Sequence, residues 1–348
     1  MDVPSNGGEI TTAWLTWALR SCKAVTTASV KSCTIEVVGA EKGITGELVR
    51  LGIGYDRDEP GAPGHLIAKF SSPLPEARAL LQSMGFYERE VRFYQELAGS
   101  TPLRTPRCHF GHVDAASGLS MLLLEDLAPA RNGDSVQTFS LGEVTRVLEA
   151  LAALHAGWWR SSSVAAKRWL RLKAMAAPET MATVFAKSWP FFLDKLSVPH
   201  TPDILDAGRW ILRELGHAAD VLFLQEPRTL IHNDVQGDNL FFDDAGGIVA
   251  LVDWQLTTCA RPVVDVASLI RGQLDPGPRR QHEQDLVQAY HEALVQRGVT
   301  DYPLNQCWQE YQLATVLRPA RLASAVGLHP GLQAHQGAFW DVIFPRLM

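Results

Sequence analysis

The chain has 348 residues, with 32 Lys and Arg against 38 Asp and Glu and a formal net charge of −6. Its 46% hydrophobic and 20% charged content is that of an ordinary globular protein, which excludes a disordered, collagen-like or membrane-spanning chain. The acidic balance argues against a general nucleic-acid or anionic-membrane binder. Five cysteines (Cys22, Cys33, Cys108, Cys259 and Cys307) are scattered and form no CxxC pair. Neither a disulfide framework nor a zinc cluster is expected, and a reducing, cytoplasmic setting fits. The first residues show no basic stretch followed by an apolar run, so no signal peptide is expected.

In chain order, residues 34–70 read as strands broken by glycine. Val49, Leu51, Ile53 and Tyr55 alternate with other residues, the period of a half-buried strand. The segment from His65 to Phe70 follows the turn-rich stretch Asp58 to Gly64 and is the next strand. After Pro75, the residues Leu80, Met84, Tyr87, Val91, Tyr94 and Ala98 step by three and four, predicting one helix with a buried face. Met121 to Leu124 predicts a buried strand that runs into a connector, Glu125 to Pro129. Ser140 and Glu143 form a capping box for a helix carrying Val144, Leu148, Leu151 and His155 on one stripe. Residues 160–225 carry helical pattern interrupted by prolines, 229–254 form a second β island, and helices follow over 263–272, 281–297 and 304–325. This order predicts an α+β fold in two lobes: a β-rich N-lobe over 1–125 and a mainly helical C-lobe over 126–348.

The β island carries the most informative chemistry. Asp243-Asp244-Ala245-Gly246-Gly247 is turn chemistry, so 240–253 should be a hairpin. Centred near Gly246, it would set Asn239 opposite Asp253, with Asp234 in the loop just before. A few oxygen ligands of this kind suit Mg²⁺ rather than zinc. His232, Asp234 and Asn239, spaced H-x-D-x-x-x-x-N, with Asp253 at a strand end, match the catalytic loop and metal-binding Asp of a phosphoryl-transfer site. Asp and Asn are common beside hairpins. What lifts these three above turn polarity is their company upstream.

Lys69 lies on the strand His65–Phe70, the place of a lysine that pairs with nucleotide phosphates. Glu90 lies on the rim of the next helix's buried stripe and can reach inward. Gly39 to Gly46, including Gly43, falls between two strands where a loop could cover phosphates, although it matches neither Walker A nor GxGxxG. The connector residues Glu125 and Leu127 stand where a purine base would meet backbone N–H and C=O groups. His232 is expected to bond within its loop and Asp265 to anchor that loop, while Asp238 reads as a solvated turn residue and His155 as a core histidine.

With these residues in place the chain resembles the kinase-like small-molecule phosphotransferases of the aminoglycoside phosphotransferase and choline kinase superfamily, and most closely their ecdysteroid-kinase-like branch. The carriers are Glu90-Val91-Arg92-Phe93-Tyr94, Leu124-Glu125-Asp126-Leu127, Leu151 to Ala156, His232 to Asn239, Val252 to Gln255 and Pro262 to Asp265. The resemblance implies a bilobal protein-kinase-like fold, ATP or GTP with Mg²⁺, and transfer to a hydroxyl of a small molecule. By position it implies Asp234 as base, Asn239 and Asp253 as metal ligands, Lys69 on the α- and β-phosphates, and Glu90 orienting Lys69. The family usually has Gly where Asn233 stands. Trp254-Gln255 after the metal Asp, and the lack of an Ala-Pro-Glu segment, separate the chain from protein kinases.

The acceptor is less legible. Five of the ten tryptophans lie between residues 155 and 215, and Trp158 and Trp159 are candidates for an aromatic-walled acceptor pocket as well as for helix packing. From His155 to Leu230 there are ten Lys and Arg against seven Asp and Glu, so that stretch lacks the acidic surplus a polycationic aminoglycoside would call for. The expected activity is therefore an ATP-dependent small-molecule phosphotransferase. An antibiotic-inactivating, choline or sugar kinase is the nearest alternative, a phosphate hydrolase a weaker one, and a catalytically silent kinase-like module the alternative from a different class.

Overall fold

A computed structural model describes residues 1–38, 46–171, 178–196, 199, 201–328, 342, 343 and 346. The chain divides into two units, Met1–Ser100 with Thr105–Pro129, and Thr101–Arg104 with Ala130–Met348.

In the first unit, α1 (Thr12–Ser21) precedes β1 (Val30–Val37), β2 (Gly46–Tyr55) and β3 (His65–Ser71), then α2 (Pro75–Ser83), α3 (Phe86–Glu96), β4 (Cys108–Val113) and β5 (Ser120–Glu125). The strands form one antiparallel sheet in the order β1-β2-β3-β5-β4. Strand alternation gives the sheet two different faces. Val49, Leu51, Leu66, Ala68, Phe70, Met121 and Leu123 are buried with Trp14, Leu15, Ala18 and Leu19 of α1. The intervening positions, including Arg50, Ile67 and Lys69, belong to the other face. The single helix expected after Pro75 is two, because Gly85 adopts φ 78° between α2 and α3. That left-handed step is one glycine makes without strain. Its effect is that the buried stripe of α3 is set independently of α2.

Gly46 is the first residue of β2 and pairs with Ser71. A Cβ there would lie 1.9 Å from the Phe70 carbonyl oxygen, so close backbone approach calls for glycine at this position. Gly43, expected in the same loop, lies outside the described residues.

In the second unit β6 (Arg131–Asn132) leads to α4 (Leu141–Gly157), α5 (Ser162–Ala165), α6 (Pro178–Leu193) and α7 (Pro202–Ala219). Then come β7 (Thr229–Ile231), β8 (Leu240–Phe242), β9 (Ile248–Leu251) and β10 (Thr258–Ala260), followed by α8 (Val263–Gln273), α9 (Pro276–Gln296), α10 (Leu304–Ala314) and α11 (Leu317–Leu328). The Ser140–Glu143 capping box is formed in both directions. Helix α9 begins earlier than its apolar pattern suggested, since Pro276 pre-sets the helical φ at its first position. The pattern over 304–325 is two helices. Among the described residues no helix is long and apolar enough to cross a membrane.

Strand β7 pairs with β10, and β8 pairs with both β6 and β9. The β8–β9 hairpin pairs Leu240 with Leu251 and Phe241 with Ala250, then shifts so that Phe242 meets Ile248. Next to the turn the pairing is two residues short of the expectation, and the irregularity restores one of them. Asn239 therefore faces Val252, whose N–H donates to its carbonyl at 2.9 Å, and Asp253 lies one residue beyond.

One carboxylate gathers three consecutive residues between α1 and β1. Glu59 accepts from the N–H groups of Thr26, Thr27 and Ala28 at 2.6, 2.9 and 2.7 Å and from both threonine hydroxyls. These bonds hold its pKa down at about 2, from an ordinary 4.5. A depressed folded-state pKa means stability that is present above the unfolded value and lost as pH falls toward the folded one. The thermal midpoint of Glu59→Gln should thus lie below that of the wild type at neutral pH, with the gap closing between pH 4.5 and about 2. Thermal melts across that range check it, and a gap that stays constant with pH contradicts it.

Candidate active site

The first unit carries a buried ion pair. Lys69 on β3 donates from Nζ to Glu90 Oε1 on α3 at 2.8 Å, with the side chains only 16% and 4% exposed. Strand alternation turns Lys69 away from the α1 core, and the second helix brings Glu90 to meet it. At the end of β5, Arg50 grips Asp126 through Nε at 2.6 Å and Nη2 at 3.1 Å. Both residues line a cavity of about 380 Å³ with Thr34, Glu36, Gly52, His65 and Ala128. Burial opposes the charge on Asp126, yet the Arg50 pair and the Ala128 N–H leave its carboxyl below the usual range. Glu125 is tied to Arg107 by its own N–H at 2.8 Å and by its carboxylate, which accepts from the Arg107 N–H at 3.0 Å. Leu127 is buried.

The second unit carries the loop 232–239 between β7 and β8, and one buried carboxylate anchors it. Asp265 on α8 is fully buried and accepts from the N–H of His232 through Oδ2 and of Asn233 through Oδ1, both at 2.7 Å. His155 on α4 lies 3.3 Å from the same Oδ2, and its Nδ1 is 2.7 Å from the Tyr290 hydroxyl of α9. His232 Nδ1 faces the Asp234 N–H at 3.3 Å, which assigns the ring proton to Nε2, 2.9 Å from the Val252 carbonyl oxygen. The ring rests edge-on against Trp254 at 4.7 Å. His232 thereby ties the loop to the residue before Asp253.

Asn239 completes the arrangement. Its Nδ2 donates to the Asp234 carbonyl at 2.9 Å and to Asp234 Oδ2 at 3.2 Å. Gln236 Nε2 reaches the same Oδ2 at 3.3 Å. Asp253 has φ 65° and ψ 65°, a left-handed step where β9 gives way to a short turn, and its Oδ2 accepts from Gln255 at 3.3 Å. The far end of the loop is pinned by close backbone approach, because a Cβ on Gly237 would lie 2.5 Å from the Asp134 carbonyl. Asp238, expected as a solvated residue, lends its carbonyl to Asn132 Nδ2 at 2.9 Å.

Two arginines with no motif to announce them also act here. Arg318 and Arg321 of α11 bond to the loop backbone beside Asp234. Their only sequence signal is a three-residue spacing on one helix. Burial holds the Asp234 carboxyl above its ordinary range; Arg318, His232 and Arg321 pull it down, while Asp253 adds to the rise.

The tryptophans lie elsewhere in this unit. Trp158 lines a cavity of about 320 Å³ with Arg160, Arg228, Thr229 and Cys259, at the end of β7 remote from the loop. Trp159 donates from Nε1 to Asp301 at 2.8 Å and packs on Tyr302.

No group of three or more His, Cys, Asp or Glu side chains among the described residues forms a metal cage. With its nitrogen spent on Asp234, the Asn239 amide offers its oxygen, and Asp253 offers a carboxylate. Such a sparse oxygen set fits a hard cation that keeps phosphate and water ligands, and does not fit zinc.

A five-stranded sheet bearing a Lys–Glu pair, and a helical unit bearing an Asp–Asn–Asp loop and hairpin, are features of a chain of phosphotransferase class. The family model described as the phosphotransferase enzyme family (APH) matches residues 57–302, and the chain belongs to that family. That family is one of phosphotransferase enzymes. Among solved structures it is similar to choline kinase from Cryptosporidium parvum Iowa II, with 11% identity and TM-score 0.56 over 90% of this chain and 87% of that one. It is also similar to aminoglycoside 2'-phosphotransferase-IIIa in a GDP complex, with 10% identity and TM-score 0.55 over 97% and 99%. A third is macrolide 2'-phosphotransferase type I, with 15% identity and TM-score 0.50 over 95% and 98%. At these identities the likeness is one of fold. A search of curated proteins finds no match.

The anchor makes a direct prediction. Asp265→Asn offers one oxygen to two buried N–H donors and turns an NH₂ toward the other. It should cost about 3 kcal/mol of unfolding free energy, the loss expected when a charge-assisted bond goes and a buried donor is left unmet. Urea denaturation measures this, and a change below about 0.5 kcal/mol would contradict the anchoring role.

Proposed function

We propose that the chain moves the γ-phosphoryl group of ATP or GTP to a hydroxyl of a small molecule, with Asp234 as general base and Mg²⁺ held by Asn239 and Asp253. The carrying observation is that Asn239 Nδ2 bonds both the carbonyl and the carboxylate of Asp234, while the Asn239 carbonyl bonds the residue before Asp253. Base and metal ligands are thereby positioned as one unit. A purely nucleotide-binding module has no use for a base fixed in this way.

In the reaction, the acceptor O–H proton passes to Asp234 Oδ as the acceptor oxygen bonds to Pγ and the bond from Pγ to the β-bridging oxygen breaks. The products are a phosphate monoester and a nucleoside diphosphate. A bound Mg²⁺ neutralises charge on the phosphate oxygens. Lys69, oriented by Glu90, holds the α- and β-phosphates, and Gly46 opens the strand beside them. The backbone at Glu125 and Leu127 meets the base. Residues 1–125 serve the nucleotide in this reading, and residues 126–348 the chemistry and the acceptor. The GDP bound in the aminoglycoside 2'-phosphotransferase-IIIa structure supports nucleotide use.

For the acceptor we favour an uncharged, ring-bearing alcohol, as the ecdysteroid-kinase-like branch implies, over a polycation. The supporting observation is the surplus of ten Lys and Arg over seven Asp and Glu between His155 and Leu230.

Asp234→Ala tests the base. Turnover should fall by roughly 10²–10⁴-fold while nucleotide affinity stays within a few-fold. Coupled ADP release and calorimetric titration measure the two. Normal turnover with lost affinity would overturn the assignment.

A further inference from the structure

The loop has an unusual residue next to its base. Asn233, the residue before Asp234, is not glycine, yet its φ is 70°, the left-handed region that costs glycine nothing. Asn tolerates that region better than most residues, but the step still carries strain. Asn233 is buried, and each of its polar atoms is engaged. Its N–H goes to Asp265, its Nδ2 to the Leu256 carbonyl at 3.0 Å, and its carbonyl and Oδ1 to one guanidinium. That guanidinium is Arg321 of α11, which donates from Nη1 to the Asn233 carbonyl at 2.7 Å and from Nη2 to Oδ1 at 2.6 Å.

The grip is two-pronged, which a planar guanidinium can provide and an ammonium cannot. The Phe223 ring lies 5.7 Å beneath the guanidinium carbon. Arg318, three residues earlier on α11, takes the other side of the base. It donates to the Val235 carbonyl at 3.2 Å, to Gln236 Oε1 at 3.1 Å and to Ser268. One helix thus holds the residues before and after Asp234.

We propose that Arg321 is a positioning residue for Asp234, acting through Asn233: the asparagine side chain serves as the handle by which α11 holds the left-handed step that aims the base. This deepens the proposed function and rests on Asp234 being the base. Where glycine makes the same step freely, no handle is needed. The arginine and the asparagine are therefore expected to be coupled.

The test is a double-mutant cycle on the full chain, using MgATP and MgGTP as probes with water as acceptor and reading nucleoside diphosphate formation at saturating nucleotide. Arg321→Gln should lower the turnover number by roughly 10²-fold, the order expected for misplacing a reacting group by an ångström, with KM for nucleotide within about twofold. Arg321→Lys should recover only part of the loss, because it offers no second prong. Asn233→Gly combined with Arg321→Gln should turn over at least about tenfold faster than Arg321→Gln alone, as glycine restores the step without the grip. Wild-type turnover in Arg321→Gln, or simply additive losses, would overturn the proposal and leave Arg321 as packing.

Amide exchange keeps the two readings apart. Should the wild type bind nucleotide yet form no diphosphate, water does not replace the alcohol acceptor, and the grip is judged by exchange alone. Exchange at Asp234 and Val235 accelerated about tenfold or more in Arg321→Gln, with an unchanged thermal midpoint, supports the grip. Unchanged exchange there overturns it.

Discussion

One buried carboxylate, that of Asp265, sets the geometry of the second unit's loop. Two consecutive backbone N–H groups, of His232 and Asn233, point inward where water cannot serve them, and the two carboxylate oxygens take one each. The left-handed step at Asn233 follows directly and turns the chain on toward Asp234. The carboxylate is itself held by His155, which leans on Tyr290, so three helices (α4, α8 and α9) converge on the loop through side chains. Low dielectric makes such a network strong when every member is satisfied and costly when one is not. The loop is stiff because its polar groups have nowhere else to go.

From that anchor the placement of the other groups follows. The turn at Asn233 aims Asp234, the His232 ring reaches forward to Val252, and Asn239 closes back on Asp234. The hairpin then carries Asp253 to a second left-handed step. In the first unit the same economy uses strand alternation, with apolar residues turned to α1 and Lys69 turned to Glu90. The charges are oriented by backbone periodicity and bonded partners, so little side-chain freedom is left to freeze during a reaction.

Much of this was legible in the sequence where the signal is local. The strand alternation around Lys69, the capping box at Ser140 and the spacing from His232 to Asn239 each sit within one element and carry their own period. Asp265 and His232 were expected beside the loop, and they bond to its backbone and to Val252. What eluded sequence reasoning depends on long-range packing or on backbone irregularity. Phe242 meets Ile248, two residues short of the expected register, and an irregularity before it restores one, which no turn signature encodes. The helix after Pro75 breaks at Gly85, an isolated glycine inside a continuing apolar stripe. Arg318 and Arg321 lie about 80 residues beyond the loop they hold, and only the fold brings α11 to it.

In the proposed function, Asn239 and Asp253 hold a cation for a nucleotide's phosphates. Thermal shift with ATP or GTP, each with and without Mg²⁺, on wild type and Asp253→Ala, tests it most directly. The account predicts a Mg²⁺-dependent rise in the wild-type midpoint that disappears in Asp253→Ala, because a ligand that binds only the folded state stabilises it. A Mg²⁺-dependent rise of the same size in both proteins would place the metal elsewhere and contradict the account.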